Sequence, residues 1–213
     1  MITRKGQSIE DASMEMIDNE IGIHQYNKKE WPIVRRVIHS TADFDFAREN
    51  GIIFHKEAIE SGMKVLKSGC SIVVDVNGVI GGLNKQNPKD FRNKIICNIS
   101  SLEVMEIAKK ENKTRSQTSM RVALPDIEGG IVAIGNAPTA LLEVMQMVKE
   151  GVVKPALIIG IPVGFIGAAE SKEELSKLKE VPFITNKGRK GGSSSAAAII
   201  NALYKLIREE SSF

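Results

Sequence analysis

Short apolar runs rich in β-branched residues alternate along this chain with longer amphipathic segments. Strands that are apolar on both faces are typical of a parallel sheet with helices on both sides. This alternation restricts the fold to the α/β class and predicts a mainly parallel five-stranded sheet. The predicted strands span residues 71–76, 95–98, 130–135, 155–161 and 183–185.

Capping residues and apolar spacing predict where the helices begin and end. Ser8 has the S-x-x-D spacing of a capping box and is predicted to begin the first helix. Pro32 suits the first turn of a second helix, which should end near Thr41. Residues 54–67 are predicted to form an amphipathic helix, and residues 77–78 are predicted to form a turn after a strand.

Length and composition indicate a single globular domain over residues 1–213. A chain of this length can bury a substantial core, and a charged fraction of 26% is ordinary for a soluble protein. The formal net charge of +3 provides no broad basic surface, which argues against a nucleic-acid-binding protein. The local groups of positive charge suit a small anionic ligand better.

The absence of targeting signals and the placement of the cysteines favour a cytoplasmic location. The first residues are not those of a signal peptide, and no apolar run is long enough to cross a membrane. Cys70 and Cys97 lie far apart in apolar runs, so we expect small buried side chains rather than a disulfide or a zinc site. We therefore expect a cytoplasmic protein without a membrane partner.

Residues 35–46 combine arginines, a histidine, hydroxyl groups and acids. Arg36 and His39 are three positions apart, so on a helix they share one face. An imidazole can exchange a proton near neutral pH, and a guanidinium can bind a carboxylate with two hydrogen bonds. The alternative is that His39 only ends an amphipathic helix, where a basic group is favourable, and that the arginines are solvated.

Residues 188–194 contain glycines, Arg189, Lys190 and a predicted helix start, a combination that attracts anions. The segment is not a Walker A motif, because Ser193 stands where the second glycine is required. A glycine-rich turn with solvated charges is the alternative. The local sequence leaves both interpretations open.

Two other polar segments have both a structural and a functional interpretation. Asn136 follows a predicted strand and either caps the next helix or faces a ligand at the carboxyl edge of the sheet. Arg115, in the polar connector 112–116, either holds an anion or is solvated. Capping and solvation are the commoner roles for such residues.

The sequence lacks the motifs of several common chemistries. It has no GxGxxG dinucleotide fingerprint, no GxSxG nucleophile elbow and no histidine or cysteine spacing typical of a metal site. The remaining enzymatic candidates use one proton-transferring histidine, His39, together with several anion-binding groups.

Six segments occur in an order that is specific as a set. They are residues 8–14 (SIEDASM), 36–44 (RVIHSTADF), 112–116 (NKTRS), 133–140 (AIGNAPTA), 162–172 (PVGFIGAAESK) and 188–193 (GRKGGS). Together they resemble the precorrin-8X methylmutase family of cobalamin biosynthesis, which includes cobalt-precorrin-8 methylmutases. The resemblance spans nearly the whole chain.

The resemblance implies a flavodoxin-like, three-layer α/β/α domain that works as a homodimer with sites near the subunit interface. It implies an isomerase that moves a methyl group from C11 to C12 of (cobalt-)precorrin-8 and yields hydrogenobyrinate or cobyrinate. The implied ligand is a corrinoid, with no cofactor and no metal bound by side chains. Cobalt would lie in the ring, so no ligand motif reports whether the natural substrate carries it.

The resemblance also assigns roles to individual residues. It implies that His39 donates or accepts a proton and that Ser13 and Arg36 bind the substrate. We expect further substrate contacts from Thr41, Arg115, Asn136, Arg189 and Lys190.

The residue types fit an apolar macrocycle fringed with carboxylates, which needs an apolar surface rimmed with cations and amides. A non-catalytic tetrapyrrole carrier of the same pathway is one alternative, and catalytic turnover would distinguish it from an enzyme. A phosphate-ligand α/β enzyme is another, and it rests on residues 188–194 alone. Stabilisation by a nucleotide would favour that third hypothesis.

Overall fold

The computed structural model describes residues 3–49 and 51–211, which contain one sheet of six strands. The strands are β1 (Ile52–Phe54), β2 (Ser71–Val74), β3 (Lys94–Ile96), β4 (Ile131–Ile134), β5 (Leu157–Gly160) and β6 (Phe183–Asn186). Their order across the sheet is β1-β6-β5-β4-β2-β3. Neighbouring strands from β2 to β6 are parallel, which confirms the predicted α/β class.

The predicted count of five strands is wrong, because the sheet has a sixth strand, β1, at one edge. β1 is antiparallel to β6, with Ile52 opposite Asn186 and Phe54 opposite Ile184. The sequence-based prediction assigned Phe54 to the start of a helix, since a run of three residues is too short to reveal a strand period. The strand is defined by its pairing with β6, which lies far away in the sequence.

Helices connect the strands. They are α1 (Arg4–Ile21), α2 (Glu30–Thr41), α3 (Ala58–Lys67), α4 (Asn77–Gly82), α5 (Gln86–Asp90), α6 (Leu102–Glu111), α7 (Arg115–Val122), α8 (Leu124–Ile127), α9 (Pro138–Lys149), α10 (Ala168–Ser176) and α11 (Ser193–Glu210), with a 3-10 helix over Phe44–Ala47. Across residues 3–49 and 51–211, none of them is both long enough and apolar enough to cross a membrane.

Helices cover both faces of the sheet. Ile72 and Val74 of β2 pack into a core with α2, α3 and α11, whereas Val73 packs into a second core with α7, α9 and α10. Successive side chains of a strand point to opposite faces, so one apolar run contributes to both cores. This is why the parallel strands have no polar alternation in the sequence.

The starts of α1 and α4 also differ from the prediction. α1 begins at Arg4 rather than at Ser8, because the Thr3 hydroxyl accepts a hydrogen bond from the Gly6 N–H and caps the helix earlier. Asn77 begins the short helix α4 rather than a turn. In both cases the local polar residues are compatible with a helix as well as with a turn.

Candidate active site

The centre of the sheet brings a buried carboxylate to the carboxyl edge. β2 and β4 are neighbours, and Asp75 directly follows β2. Its carboxylate accepts hydrogen bonds from the backbone N–H groups of Gly135, Asn136 and Ala137, at 3.0, 2.8 and 2.7 Å. Asp75 therefore fixes the loop between β4 and α9 at the point where ligands bind in open α/β sheets.

The environment of Asp75 has opposing effects on its ionisation. Its side chain is fully buried, and this burial raises the pKa of the carboxyl group. The hydrogen bonds from Gly135, Ala137 and Asn136 lower that pKa in part, because they stabilise the ionised form. The sequence analysis did not single out Asp75, although an acid directly after a buried strand is a recognisable signal.

Asn136 is exposed at the start of this loop. Its backbone N–H is bound by Asp75, and the N-cap position of α9 is Ala137, which makes no side-chain cap. The predicted capping role of Asn136 is therefore wrong. The alternative prediction, that its side chain faces a ligand, stays open and agrees with its position at the carboxyl edge.

Backbone hydrogen bonds join the loops that follow β4, β5 and β6. The Val163 N–H donates to the Gly135 carbonyl at 3.4 Å, and the Gly164 N–H donates to the Arg189 carbonyl at 3.2 Å. These bonds hold the three loops side by side. The three loops therefore form one surface at the carboxyl edge of the sheet.

That surface combines exposed apolar side chains with a cation. Phe165 and Ile166, after β5, are 85% and 92% exposed. The guanidinium carbon of Arg189 lies 5.9 Å from the centre of the Phe165 ring, within the range of a cation–π contact. An apolar surface of this kind beside a positive charge suits an apolar anionic ligand.

Arg115 reaches the same edge from α7. Thr114 and Gln117 form a capping box that begins α7 at Arg115. Arg115 and Ser116 are therefore helical, whereas residues 112–114 form a connector as predicted. The Thr114 hydroxyl lies 3.2 Å from the hydroxyl of Thr139 in the first turn of α9. This contact brings the start of α7, where the exposed Arg115 lies, close to the start of α9.

Lys190 connects the sheet edge to the segment that follows α2. Its Nζ lies 2.8 Å from Oδ2 of Asp43 and 2.6 Å from Oδ2 of Asp45. Hydrogen bonds to these two carboxylates raise the pKa of Lys190. Lys190 is thus ion-paired rather than freely solvated, and neither acid was predicted as a site residue.

His39 lies in the last turn of α2 with its side chain exposed. α2 ends at Thr41, as predicted, and Ala42 follows in the left-handed conformation with φ +53°. The Thr41 hydroxyl donates to the Val37 carbonyl at 2.9 Å. The exposed imidazole therefore stands on a fixed helix end, four residues before the Asp43 that Lys190 contacts.

Arg36 is held by a carboxylate of α1. Its Nη2 lies 2.6 Å from Oε1 of Glu10, and the neighbouring Arg35 lies 2.5 Å from Oδ2 of Asp18. The alternative that both arginines are only solvated is therefore wrong. A substrate carboxylate that binds Arg36 would have to share the guanidinium with Glu10.

Ser13 is on the outer face of α1. Its hydroxyl donates to the Ile9 carbonyl at 2.8 Å. Ile9 and Met16, on the same side of the helix, are 60% and 67% exposed. Within residues 3–49 and 51–211, no hydrogen bond joins Ser13 to the sheet-edge residues.

The predicted site residues thus form two groups. Arg115, Asn136, Arg189 and Lys190 lie at the carboxyl edge of the sheet, whereas Ser13, Arg36, His39 and Thr41 lie on α1 and α2. The ion pairs of Lys190 connect the second group to the first. In the described part of the chain, no three His, Cys, Asp or Glu side chains form a group that could hold a metal ion.

The fold and the candidate site define an α/β protein whose carboxyl sheet edge is partly apolar and carries several cations. The sequence model of the precorrin-8X methylmutase family matches residues 8–206. The chain therefore belongs to the precorrin-8X methylmutase family, as the six segments predicted.

Individual relatives cover nearly the full length of the chain. A cobalt-precorrin-8 methylmutase of Priestia megaterium is 52% identical over 95% of this chain and 88% of its own. A precorrin-8X methylmutase of a Sinorhizobium species is 33% identical over 95% of both chains. The crystal structure of a Thermus thermophilus precorrin-8X methylmutase superposes with a TM-score of 0.88, at 36% identity, over 96% of this chain and 98% of the other.

Proposed function

We propose that this chain is an isomerase of cobalamin biosynthesis that moves a methyl group from C11 to C12 of precorrin-8 or its cobalt form. The product is hydrogenobyrinate or cobyrinate. The family and the names of its relatives support this activity. The substrate and the product are isomers, so the protein has to hold and polarise one ring rather than deliver a group to it.

One observation carries the proposal: the exposed apolar loop after β5 lies beside Arg189 and near other cations of the sheet edge. Phe165 and Ile166 offer an apolar surface for a flat macrocycle. Arg189 and Lys190 offer cations for the carboxylates at its rim. A corrin precursor has this combination of an apolar face and an anionic edge.

We propose that His39 exchanges the proton that sets the tautomer of the ring. A methyl shift within a conjugated ring depends on where its protons lie, and one oriented imidazole can favour the reactive form. His39 is exposed on the rigid last turn of α2, so a large ligand can reach it. Arg36 and Ser13, on the same pair of helices, would bind substrate carboxylates.

We also propose a homodimer in which the outer face of α1 is at the interface. Ile9 and Met16 leave large apolar side chains exposed on both sides of Ser13. A second copy of the chain would cover these side chains and enclose Ser13 at a site shared between subunits. We further propose that the chain forms one flavodoxin-like, three-layer domain and that it acts in the cytoplasm.

The activity is tested by mixing catalytic amounts of purified protein with metal-free precorrin-8 and, separately, with its cobalt form. An enzyme changes the visible spectrum of many equivalents of substrate while the mass of the substrate stays constant. A carrier binds about one equivalent of substrate per site, and the spectrum of the remaining substrate stays unchanged. The substrate with the larger kcat/KM identifies the natural form, and absence of multiple turnovers with both would overturn the proposal.

A further inference from the structure

A lysine is buried beneath the loop that carries Arg189 and Lys190. Lys172, on α10, is 1% exposed. Its Nζ donates to Oδ1 of Asn186 at 3.1 Å and to the backbone carbonyl of Lys190 at 2.5 Å. Within residues 3–49 and 51–211, no carboxylate lies within ion-pair distance of this ammonium. Burial lowers the pKa of Lys172 to about 8, since water no longer solvates its charge.

The two oxygens that Lys172 contacts belong to one small network. Asn186, the last residue of β6, donates from Nδ2 to the carbonyl of Lys187 at 2.8 Å and to the carbonyl of Lys190 at 2.9 Å. The Lys190 carbonyl thus accepts from both Lys172 and Asn186. Residues 187–190 form a loop, and these bonds hold both ends of that loop at the Asn186 side chain.

Backbone contacts hold the loop from its other side. Gly191 has φ +158° and approaches the Ile161 carbonyl so closely that a Cβ atom would lie 2.3 Å from it. The Gly164 N–H binds the Arg189 carbonyl, and the Gly192 N–H binds the Ile161 carbonyl. These contacts fasten the outer side of the loop, while Lys172 fastens it from beneath.

The loop directs two cations into the candidate site. The side chain of Arg189 lies over the Phe165 ring, and that of Lys190 reaches Asp43 and Asp45. Both side chains start from backbone whose position depends on the Lys190 carbonyl. A change at this carbonyl would therefore move both cations together.

We propose that Lys172 is a positioning residue, whose buried ammonium holds the loop over residues 187–190 so that Arg189 and Lys190 meet the substrate carboxylates. The assignment of the ligand rests on the proposed function, whereas the effect on the loop does not. Lys172 itself does not reach the exposed surface, so it acts through the loop and not on the ring.

Limited proteolysis with trypsin tests the effect on the loop. Trypsin cleaves after Lys187, Arg189 and Lys190 only when the loop opens, so the cleavage rate reports the open population. We expect Lys172→Met, which keeps the volume and removes the donors, to increase cleavage in this loop about tenfold or more. Cleavage after the exposed Lys113 serves as the internal reference and should not change.

Lys177→Met is the matched control. Lys177 follows the same helix but is exposed and pairs with Glu173 at 2.7 Å. We expect it to leave the loop cleavage unchanged. Equal loop cleavage in the wild type and in Lys172→Met would overturn the proposal. If Lys172→Met does not fold, Lys172→Leu, which also lacks a donor, gives the same comparison.

Steady-state kinetics tests the effect on substrate binding. We expect Lys172→Met to increase KM about tenfold and to change kcat less than about twofold, because it misplaces binding groups and not the proton-transferring group. In an Arg189→Ala/Lys190→Ala background the same substitution should have a much smaller effect on KM, because both cations that Lys172 positions are then absent. Additive effects would overturn the positioning role.

The two proposals can fail separately. A wild-type chain that converts neither form of precorrin-8 overturns the proposed function, and the proteolysis then decides the role of Lys172 in the loop alone. A wild-type chain that turns over substrate, combined with an unchanged KM in Lys172→Met, overturns the positioning role and leaves the function intact.

Discussion

Nζ of Lys190 lies 2.6 Å from Oδ2 of Asp45, although 145 residues separate them in the sequence. This ion pair connects the loop after β6 to the 3-10 helix that follows α2. It therefore ties the cations of the sheet edge to the helix that carries His39. The side chains of Lys190 and Asp45 are 43% and 39% exposed, so water screens the pair and it contributes little to stability. The pair matters because it fixes the position of the loop after β6 relative to the segment that follows α2.

We expect His39→Ala to reduce kcat by about a hundredfold or more, because it removes a general acid–base group. The exposed imidazole contributes little to packing, so the thermal unfolding midpoint should stay within a few degrees of the wild-type value. The rate is measured from the visible spectrum of the ring. His55→Ala is the control, since His55 bonds to Phe183 at the start of β6, on the opposite edge of the sheet. Wild-type turnover by His39→Ala would exclude the proposed role.

We expect Arg36→Ala to increase KM about tenfold or more, since a charge-assisted hydrogen bond to a buried ligand contributes about 1.5–3 kcal/mol. Arg35→Ala removes the same charge from the same helix and breaks the pair with Asp18 instead. It should change KM only slightly. Steady-state kinetics of the two variants makes the comparison, and equal effects would mean that Arg36 acts only through the net charge.

We expect Asp75→Asn to lower the free energy of unfolding by about 1–3 kcal/mol, because an amide cannot accept the three N–H bonds that the carboxylate accepts. Urea unfolding at neutral pH measures the change. Asp126→Asn is the control, because Asp126 is partly exposed and pairs with Lys94 at 3.4 Å, so its loss should cost less than about 1 kcal/mol. A fully stable Asp75→Asn protein would contradict this account of the loop.

The buried Lys172 predicts a pH dependence of stability. Its pKa in the folded protein is about 8, below the ordinary lysine value of 10.5, so the unfolded chain binds more protons between these two pH values. The free energy of unfolding should therefore rise with pH across this interval, by up to about 3 kcal/mol relative to Lys172→Met. Denaturant unfolding of both proteins from pH 7 to 10.5 gives the difference. A constant difference would mean that the ammonium is not desolvated.

We expect Met16→Glu to weaken the proposed homodimer and to lower activity together with it, since it puts a charge on the outer face of α1. Light scattering over a concentration series measures the oligomeric state, and kinetics at the same concentrations measures activity. Val152→Glu is the control, because Val152 is 47% exposed on the turn after α9. A wild-type monomer, or an unchanged dimer in Met16→Glu, would show that α1 is not the interface.

Local sequence was sufficient for the elements with long apolar runs. The parallel strands were predicted because side chains buried on both faces require continuous apolar, mostly β-branched residues, as in residues 72–74 and 131–134. The end of α2 near Thr41 was also predicted. Strand β1 was missed, because three residues carry no detectable period and become a strand only by pairing with β6.

The candidate site, like the fold, could be predicted from the sequence only in part. The sequence by itself determined which residue types are present and that loops after buried strands lie at one edge, since parallel strands all end on the same side. Only the tertiary structure decided that Asp75 binds the β4–α9 loop, that Glu10 holds Arg36 and that Lys172 lies beneath residues 187–190. The physical reason is that periodicity encodes whether a residue is buried, whereas its partner depends on how distant segments pack.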